Sequence, residues 1–257
     1  MEKALVGDIG GTNARFALVS PGATTLEQVQ VLPCRDFDNL DVAVRHYLQA
    51  TGSEEVRQSC MAFACPVQDE HIKLTNAHWA FDKGAMKQRL GLEMFKVVND
   101  FTAMALGVPH VAAEQRFQVG GGKALADRPA LVMGPGTGLG VSGLVPSSAG
   151  LVPLATEGGH VDLVATDDRE MAVLLHLRNR FGRVSAERAL CGEGLENLYQ
   201  ALQALAGNPE RTLAASAITA AALAGSDTVA VETLDLFCAL LGRVAGNAAL
   251  TLGALGG

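Results

Sequence analysis

The chain has 257 residues, of which 49% are hydrophobic and 18% are charged, and its formal net charge is −7. This composition supports a well-buried core in one large domain or two modest ones and excludes a disordered chain. Lysine and arginine are scattered without a basic stripe, which excludes a nucleic acid as the main partner.

The first half of the chain is predicted to begin with a β-hairpin. Residues 4–7 and 15–19 are short apolar runs joined by a tight glycine turn, which is typical of two antiparallel strands. A helix capped by Asp38 follows, because apolar residues from Leu40 to Leu48 recur at helical spacing. The other predicted elements of this half are strands at residues 29–32, 59–64 and 95–98 and helices at residues 81–90 and from 101 onward.

The second half repeats the order strand, glycine turn, strand and then continues with helices. A weakly patterned stretch begins at residue 110, so we expect a small α/β domain at residues 1–110 and a large α/β domain at residues 111–257. Strand-rich segments followed by helices in both halves predict a duplicated α/β architecture. The predicted strands are 130–133, 141–145 and 151–155, and the predicted helices are 169–181, 185–190, 195–205, 213–224 and 229–252.

The ends of the chain and its cysteines favour a cytoplasmic protein. Asp8 interrupts the first apolar run too early for a signal peptide. The most apolar tail, residues 240–257, contains Arg243 and Asn247 and is a poor membrane span. The five cysteines include no C-x-x-C pair and are expected to be reduced. Gly256-Gly257 is expected to cap the last helix.

Two glycine-rich turns, at residues 8–15 and 134–140, are candidate phosphate-binding sites. Both present backbone N–H groups without obstructing side chains, and Thr12, Asn13 and Thr137 add side-chain donors, as an anion site needs. Hairpin geometry alone is an alternative explanation for either turn. Neither turn is a Walker motif, and a dinucleotide-binding turn would lead into a helix rather than a strand.

Asp8 closes the first predicted strand just before its glycine turn. A carboxylate at this position can hold Mg²⁺ through water, close to bound phosphates. An aspartate that only caps the turn is the alternative, and the sequence leaves both open.

Five polar residues at the ends of predicted elements form a second candidate site. Asp100 lies where a strand meets a helix, and an ionised aspartate can accept the proton of an alcohol that attacks a γ-phosphate. Carboxylates suit a polyol, because each accepts hydrogen bonds from several hydroxyls. Structural alternatives exist for each residue, such as a helix cap at Asp100 or Glu187. The set is Asn99, Asp100, Glu157, His160 and Glu187.

Five segments together resemble the bacterial glucokinase family, a non-zinc family within the actin/hexokinase-like superfamily. No single segment is decisive, but the set is specific and runs in unbroken order over the whole chain. The segments are LVGDIGGTNAR at 5–15, VNDFTA at 98–103, GPGTGLG at 134–140, EGGHVD at 157–162 and VSAER at 184–188.

The resemblance implies a two-domain ribonuclease H-like fold whose domains flank a cleft, and it implies ATP-dependent phosphorylation of glucose at its 6-hydroxyl. It makes Asp100 the general base. The sugar hydroxyls would be bound by Asn99, Asp100, Glu157, His160 and Glu187. The phosphates of ATP, with Mg²⁺ near Asp8, would be held by Asp8, Gly10, Gly11, Thr12, Asn13, Gly136, Thr137 and Gly138.

Further expectations come from the same resemblance. The family is commonly dimeric, so a homodimer is expected. Other sugar kinases pair a Glu-x-Gly-His element with a downstream cysteine cluster that binds zinc. In this chain the later cysteines, Cys191 and Cys238, are far apart, so no zinc is expected.

The chain departs from the family pattern at its end. The pattern continues past Gly257 with a strand, a glycine pair, adenine-pocket residues and a terminal helix, so the second domain is expected to lack its C-terminal segment. Two alternatives to an active glucokinase therefore stay open. One is a sugar-binding form with impaired catalysis, and the other is a kinase for a related hexose.

Overall fold

A computed structural model of the chain describes residues 3–53, 55–74, 78–148, 150–209 and 211–257. The fold divides into two compact units, Met1–Gly107 and Val108–Gly257. Each unit contains a β-sheet with a glycine-turn hairpin, together with α-helices. Among the described residues, no helix is both long enough and apolar enough to span a membrane.

The first unit is built on a five-stranded sheet in the order β3-β2-β1-β4-β7, and β5 and β6 form a separate antiparallel ribbon. These strands are β1 Ala4–Ile9, β2 Asn13–Val19, β3 Glu27–Pro33, β4 Gln58–Phe63, β5 His71–Lys73, β6 Ala80–Asp82 and β7 Met94–Asn99. β1, β4 and β7 run parallel, with Ile9 opposite Phe63 and Phe63 opposite Asn99. The carboxyl ends of β1 and β7 therefore lie at the same edge of the sheet.

The described residues of this unit also form the helices α1 Leu40–Thr51, α2 Lys83–Arg89 and α3 Asp100–Gly107. The first begins after Asn39, whose backbone is extended and whose side-chain Oδ1 accepts the N–H of Val42 at 3.3 Å. The prediction that Asp38 caps this helix was therefore wrong by one residue. The buried face of α1 includes Val44 and Tyr47, which join the core of the first unit.

The helix predicted at residues 81–90 is shorter than expected. Phe81 belongs to β6, where it pairs with Ile72 of β5. Its ring lies 5.4 Å from that of Phe63 and 6.2 Å from that of Phe95. Packing of this aromatic side chain between strands favours extended backbone, so the helix starts only at Lys83.

The second unit is built on a three-stranded antiparallel sheet in the order β10-β9-β8. Its helices bury a core that includes Val173, Leu177, Leu198, Leu202 and Leu240. The strands are β8 Ala130–Pro135, β9 Leu139–Ser147 and β10 Gly150–Ala155, and the helices are α4 Asp168–Phe181, α5 Gly192–Leu205, α6 Ala215–Leu223 and α7 Thr228–Leu252.

The helix predicted at residues 185–190 was wrong. Only Ala186–Arg188 forms a short 3₁₀ turn. Its N–H at Ala186 donates to the carbonyl of Val161 at 2.8 Å, and Ser185 forms a β-bridge with Asp162. These backbone hydrogen bonds to a neighbouring segment hold the chain extended at the position where a helix would begin.

The prediction for the end of α7 also needs correction. The residue that caps this helix is Gly253, with the left-handed φ of 65°, rather than Gly256-Gly257. The N–H of Gly256 donates to the carbonyl of Pro129 at 2.8 Å, and the carbonyl of Gly257 accepts from the N–H of Leu131 at 2.9 Å. The last residues therefore run alongside the start of β8.

Candidate active site

The turn after β1 is fastened by its own backbone and by Cys34. The N–H of Gly10 donates to the carbonyl of Asn13 at 3.0 Å. The N–H of Cys34 donates to the Thr12 carbonyl at 2.8 Å, and the buried Cys34 thiol donates to the Gly10 carbonyl at 3.5 Å. Cys34 thus binds the turn through the carbonyl oxygens of Gly10 and Thr12. These bonds involve none of the turn's N–H groups, which are the groups that an anion needs.

Asp8 is an exposed carboxylate with a cationic neighbour. It lies opposite Arg15 in the β1–β2 register, and the guanidinium donates to its Oδ2 at 2.8 Å. Within the described ranges no group of three or more His, Cys, Asp or Glu side chains is placed to hold a metal ion. Mg²⁺ keeps most of its water and commonly takes one or two carboxylates plus substrate phosphates, so the single carboxylate of Asp8 fits such an ion.

Asn99 and Asp100 stand at the junction of β7 and α3. The Oδ1 of Asn99 accepts the N–H groups of Phe101 and Thr102 at 3.0 and 3.1 Å, so Asn99 satisfies the first turn of the helix. The Oδ1 of Asp100 accepts the Phe101 N–H at 2.7 Å and the Asn99 Nδ2 at 3.0 Å. Two neighbouring donors therefore fix the orientation of the Asp100 carboxylate.

The pKa of Asp100 is raised above its ordinary value. Burial is the largest cause, and the negative charge of Asp8 adds to it. Hydrogen bonds from the Phe101 N–H and the Asn99 side chain act in the opposite direction and do not prevail. The structure thus brings Asp8 and Asp100 into electrostatic contact and makes Asp100 a better proton acceptor than an exposed aspartate.

The turn after β8 is fastened in a similar way. The N–H of Gly136 donates to the carbonyl of Gly138 at 2.7 Å. The N–H of Gly192, the first residue of α5, donates to the Gly136 carbonyl at 2.9 Å. The N–H of Leu139 donates to the Oε2 of Glu187 at 2.8 Å. Glu187, predicted as a sugar-binding residue, therefore contacts a turn that was predicted to bind phosphates.

Gly158 and Gly159 allow the Glu157–His160 segment to lie directly against β9. A Cβ on Gly158 would come within 2.9 Å of the Val141 side chain, and a Cβ on Gly159 would collide with the carbonyl of Leu139. Only glycine fits at these two positions without movement of the strand. The two glycines thus permit the close backbone approach that brings Glu157 and His160 to β9.

His160 lies between two of the predicted carboxylates. Its Nε2 is 3.9 Å from Glu157 Oε2, and its Nδ1 is 3.8 Å from Glu187 Oε1. Arg183 donates to the His160 carbonyl at 2.6 Å and to Asp162 Oδ1 at 2.7 Å, which holds the backbone of this segment. The second unit thus gathers its predicted residues around the start of β9.

The predicted site residues fall into two groups, one in each unit. The first unit holds the Asp8–Asn13 turn with Asn99 and Asp100, and the second holds the Gly136–Gly138 turn with Glu157, His160 and Glu187. Two supporting residues, Cys34 and Arg183, were missed by sequence reasoning. No sequence motif marks Cys34, because its role depends on the pairing of β3 with β2. Arg183 directly precedes the VSAER segment, which is the only signal that pointed to it.

Comparison with known proteins gives a consistent result. A family model described as Glucokinase matches residues 5–257. Curated glucokinases of Hahella chejuensis and Marinobacter nauticus are 60% and 59% identical to this chain over 254 residues, which cover 99% of it and 79% of each relative. The crystal structure of glucokinase from an Antarctic psychrotroph superposes with a TM-score of 0.90 at 37% identity and covers 100% of this chain and 81% of that one. The predicted fold is thereby confirmed, and the chain belongs to the glucokinase family.

Proposed function

We propose that this chain transfers the γ-phosphoryl group of ATP to the 6-hydroxyl of glucose, giving glucose 6-phosphate and ADP for glycolysis. Membership of the glucokinase family supports the reaction and the substrates. The observation that carries the chemistry is Asp100, a half-buried carboxylate with a raised pKa, held in one orientation at the start of α3.

Asp100 is proposed as the general base. A carboxylate with a raised pKa has a higher affinity for the proton that the 6-hydroxyl loses as its oxygen attacks phosphorus. Asn99 keeps the carboxylate in place through its Nδ2 and caps α3 through its Oδ1. The same side chains, Asn99 and Asp100, are proposed to bind sugar hydroxyls.

Glu157, His160 and Glu187 are proposed as the further sugar-binding residues. Two carboxylates flank one imidazole, so this cluster offers several acceptors for hydroxyl groups. The cluster is held by glycine packing against β9 and by Arg183. We also propose that the enzyme uses no zinc, because the cysteines that follow this cluster, Cys191 and Cys238, are far apart in sequence.

The two glycine turns are proposed to bind the phosphates of ATP. In the first turn these residues are Asp8, Gly10, Gly11, Thr12 and Asn13, and in the second they are Gly136, Thr137 and Gly138. Asp8 is proposed to hold Mg²⁺ through water. When bound, the ion would neutralise negative charge that develops on the transferred phosphoryl group.

The proposal extends to the organisation of the protein. We take residues 1–110 and 111–257 as its two domains, and we propose that it acts as a cytoplasmic homodimer. The division of the fold at Gly107 and Val108 supports the domain assignment.

The test is a coupled assay of ADP release from Mg-ATP, run with glucose, fructose, mannose and no sugar. Release that depends on glucose, with glucose 6-phosphate as the product, supports the proposal. Binding of glucose without any binding of ATP would contradict it and select a sugar-binding protein. Turnover of another hexose in preference to glucose would correct the substrate.

A further inference from the structure

Glu187 occupies the surface of the second glycine turn. Its Oε2 accepts the N–H of Leu139 at 2.8 Å. A Cβ placed on Gly138 would collide with the same carboxylate. Glycine at position 138 therefore makes room for Glu187 as well as allowing the turn itself.

A carboxylate at this place competes with a phosphate. It takes up the Leu139 N–H, one of the donors that follow directly on the turn, and it adds a negative charge where an anion would bind. The carboxylate is only partly covered, with 32% of the Glu187 side chain exposed, so it can change partners without disrupting a core.

The other oxygen of the same carboxylate faces the proposed sugar site. Glu187 Oε1 lies 3.8 Å from the Nδ1 of His160. Sugar hydroxyls that donate to Glu187 would compete with the Leu139 N–H for its lone pairs. One side chain thus contacts both the residues proposed for sugar and the turn proposed for phosphate.

We infer that Glu187 couples the binding of sugar to the binding of nucleotide. Its carboxylate keeps the nucleotide from the Leu139 N–H until sugar hydroxyls bind to that carboxylate. This inference rests on the proposed function of the two groups of residues. Linkage makes the effect reciprocal, so glucose strengthens nucleotide binding and nucleotide strengthens glucose binding by the same factor. The inference also predicts that removing the negative charge of Glu187, a proposed sugar-binding residue, improves nucleotide binding.

The test compares the wild type with Glu187→Gln by titration with Mg-ADP in the absence of sugar. The glutamine oxygen can still accept from Leu139, but the negative charge is gone. We expect the variant to bind Mg-ADP about three- to tenfold more tightly, as fits the removal of one partly screened like charge. The factor by which saturating glucose strengthens Mg-ADP binding should be smaller in the variant than in the wild type.

Glu193→Gln is the matched control. Glu193 is the second residue of α5, and its carboxylate faces Arg188 at 3.8 Å. Both Glu187 and Glu193 contribute, after burial, to the raised pKa of the Cys191 thiol, so the two charges act on the same neighbourhood. The control should strengthen Mg-ADP binding less than Glu187→Gln does, because the Glu193 carboxylate is paired with Arg188, whereas that of Glu187 accepts the Leu139 N–H of the turn itself.

The outcomes separate this inference from the proposed function. Mg-ADP affinity of Glu187→Gln equal to or weaker than that of the wild type would overturn the inference, with thermal unfolding curves showing that the variant is folded. A second test uses the wild type alone and compares its Mg-ADP affinity with and without glucose. An affinity that glucose leaves unchanged would also overturn the inference. A wild type that binds no Mg-ADP at all would overturn the proposed function as well.

Discussion

The carboxylate of Asp8, at the end of β1, is close enough to that of Asp100, at the start of α3, to raise its pKa. Asp8 lies on β1 and Asp100 directly follows β7, and these two parallel strands are separated by β4, with their carboxyl ends in register. Burial raises the pKa of Asp100 further, and more strongly. The parallel strands of the first sheet therefore place a second carboxylate near Asp100, and its charge adds to the effect of burial on the pKa of the proposed catalytic residue.

Replacing Asp8 by asparagine should lower the pKa of Asp100. A neighbouring negative charge favours the protonated form, so its removal favours the carboxylate, and Arg15 left without its partner acts in the same direction. The acid limb of the profile of kcat/KM for glucose against pH should move to lower pH, whatever the loss in absolute rate. Asp36→Asn is the control, because Asp36 is exposed beside Arg35 and does not contribute to the shift. An acid limb that stays in place or moves upward would refute the coupling.

Cys34→Ala should weaken the binding of ATP more than that of glucose. The variant loses the hydrogen bond from the thiol to the Gly10 carbonyl, and this loss loosens the first glycine turn. A net hydrogen bond contributes about 1 kcal/mol, so we expect KM for ATP to rise about three- to tenfold. Cys60→Ala, on β4, is the matched control. Equal effects of both variants on KM for ATP would show that Cys34 has no special relation to the turn.

Gly159→Ala should destabilise the second unit and weaken sugar binding. The added methyl group would collide with the Leu139 carbonyl, and overpacking of this kind costs about 1–3 kcal/mol. Gly242→Ala is the control, since a Cβ there meets nothing within 4 Å and alanine favours the helix by about 0.5–1 kcal/mol. Chemical denaturation and glucose titration of both variants measure the difference. A Gly159→Ala protein with wild-type stability would mean that the segment does not lie against β9.

Glu170→Gln should lower the stability of the second unit at neutral pH by about 1–3 kcal/mol, because the partly exposed Arg243 loses the charged partner that it contacts at 2.7 Å. Burial alone would raise the pKa of Glu170, but hydrogen bonds from Arg243 and Thr166 outweigh it and the pKa is lowered. A lowered pKa stabilises the fold above the ordinary value of 4.5, and this contribution is lost as pH falls through the lower folded value. The difference in unfolding free energy between wild type and variant should therefore shrink below pH 4.5. A difference that is independent of pH would contradict this account.

Much of the fold could be predicted from local patterns, and the two failures in helix assignment have a common cause. The hairpins formed by β1–β2 and β8–β9 follow from apolar runs around glycine turns. Phe81 and Ser185 were assigned to helices because the local sequence permits a helix there. Pairing of Phe81 with Ile72 and of Ser185 with Asp162, outside the segments that were assigned to helices, selects extended backbone instead.

The residues of the candidate site could be predicted where the residue type itself indicates the chemistry. Asp100, Glu157, His160 and Glu187 are polar residues at the ends of elements, and their segments resemble one family. The supporting contacts were not predictable, because Cys34 and Arg183 act through backbone carbonyls that only the fold brings near. The contact of Glu187 with the Leu139 N–H likewise depends on how a 3₁₀ turn lies against β9.

The central claim is that Asp100 removes the proton from the sugar hydroxyl, and Asp100→Asn tests it most directly. Asparagine keeps an oxygen that can accept the Phe101 N–H, so the local structure should survive, as a thermal unfolding curve can verify. We expect kcat for glucose-dependent ADP release to fall about 100-fold or more, as is typical when a general base is removed. A rate within a few-fold of the wild type, in a variant that melts like the wild type, would contradict the account.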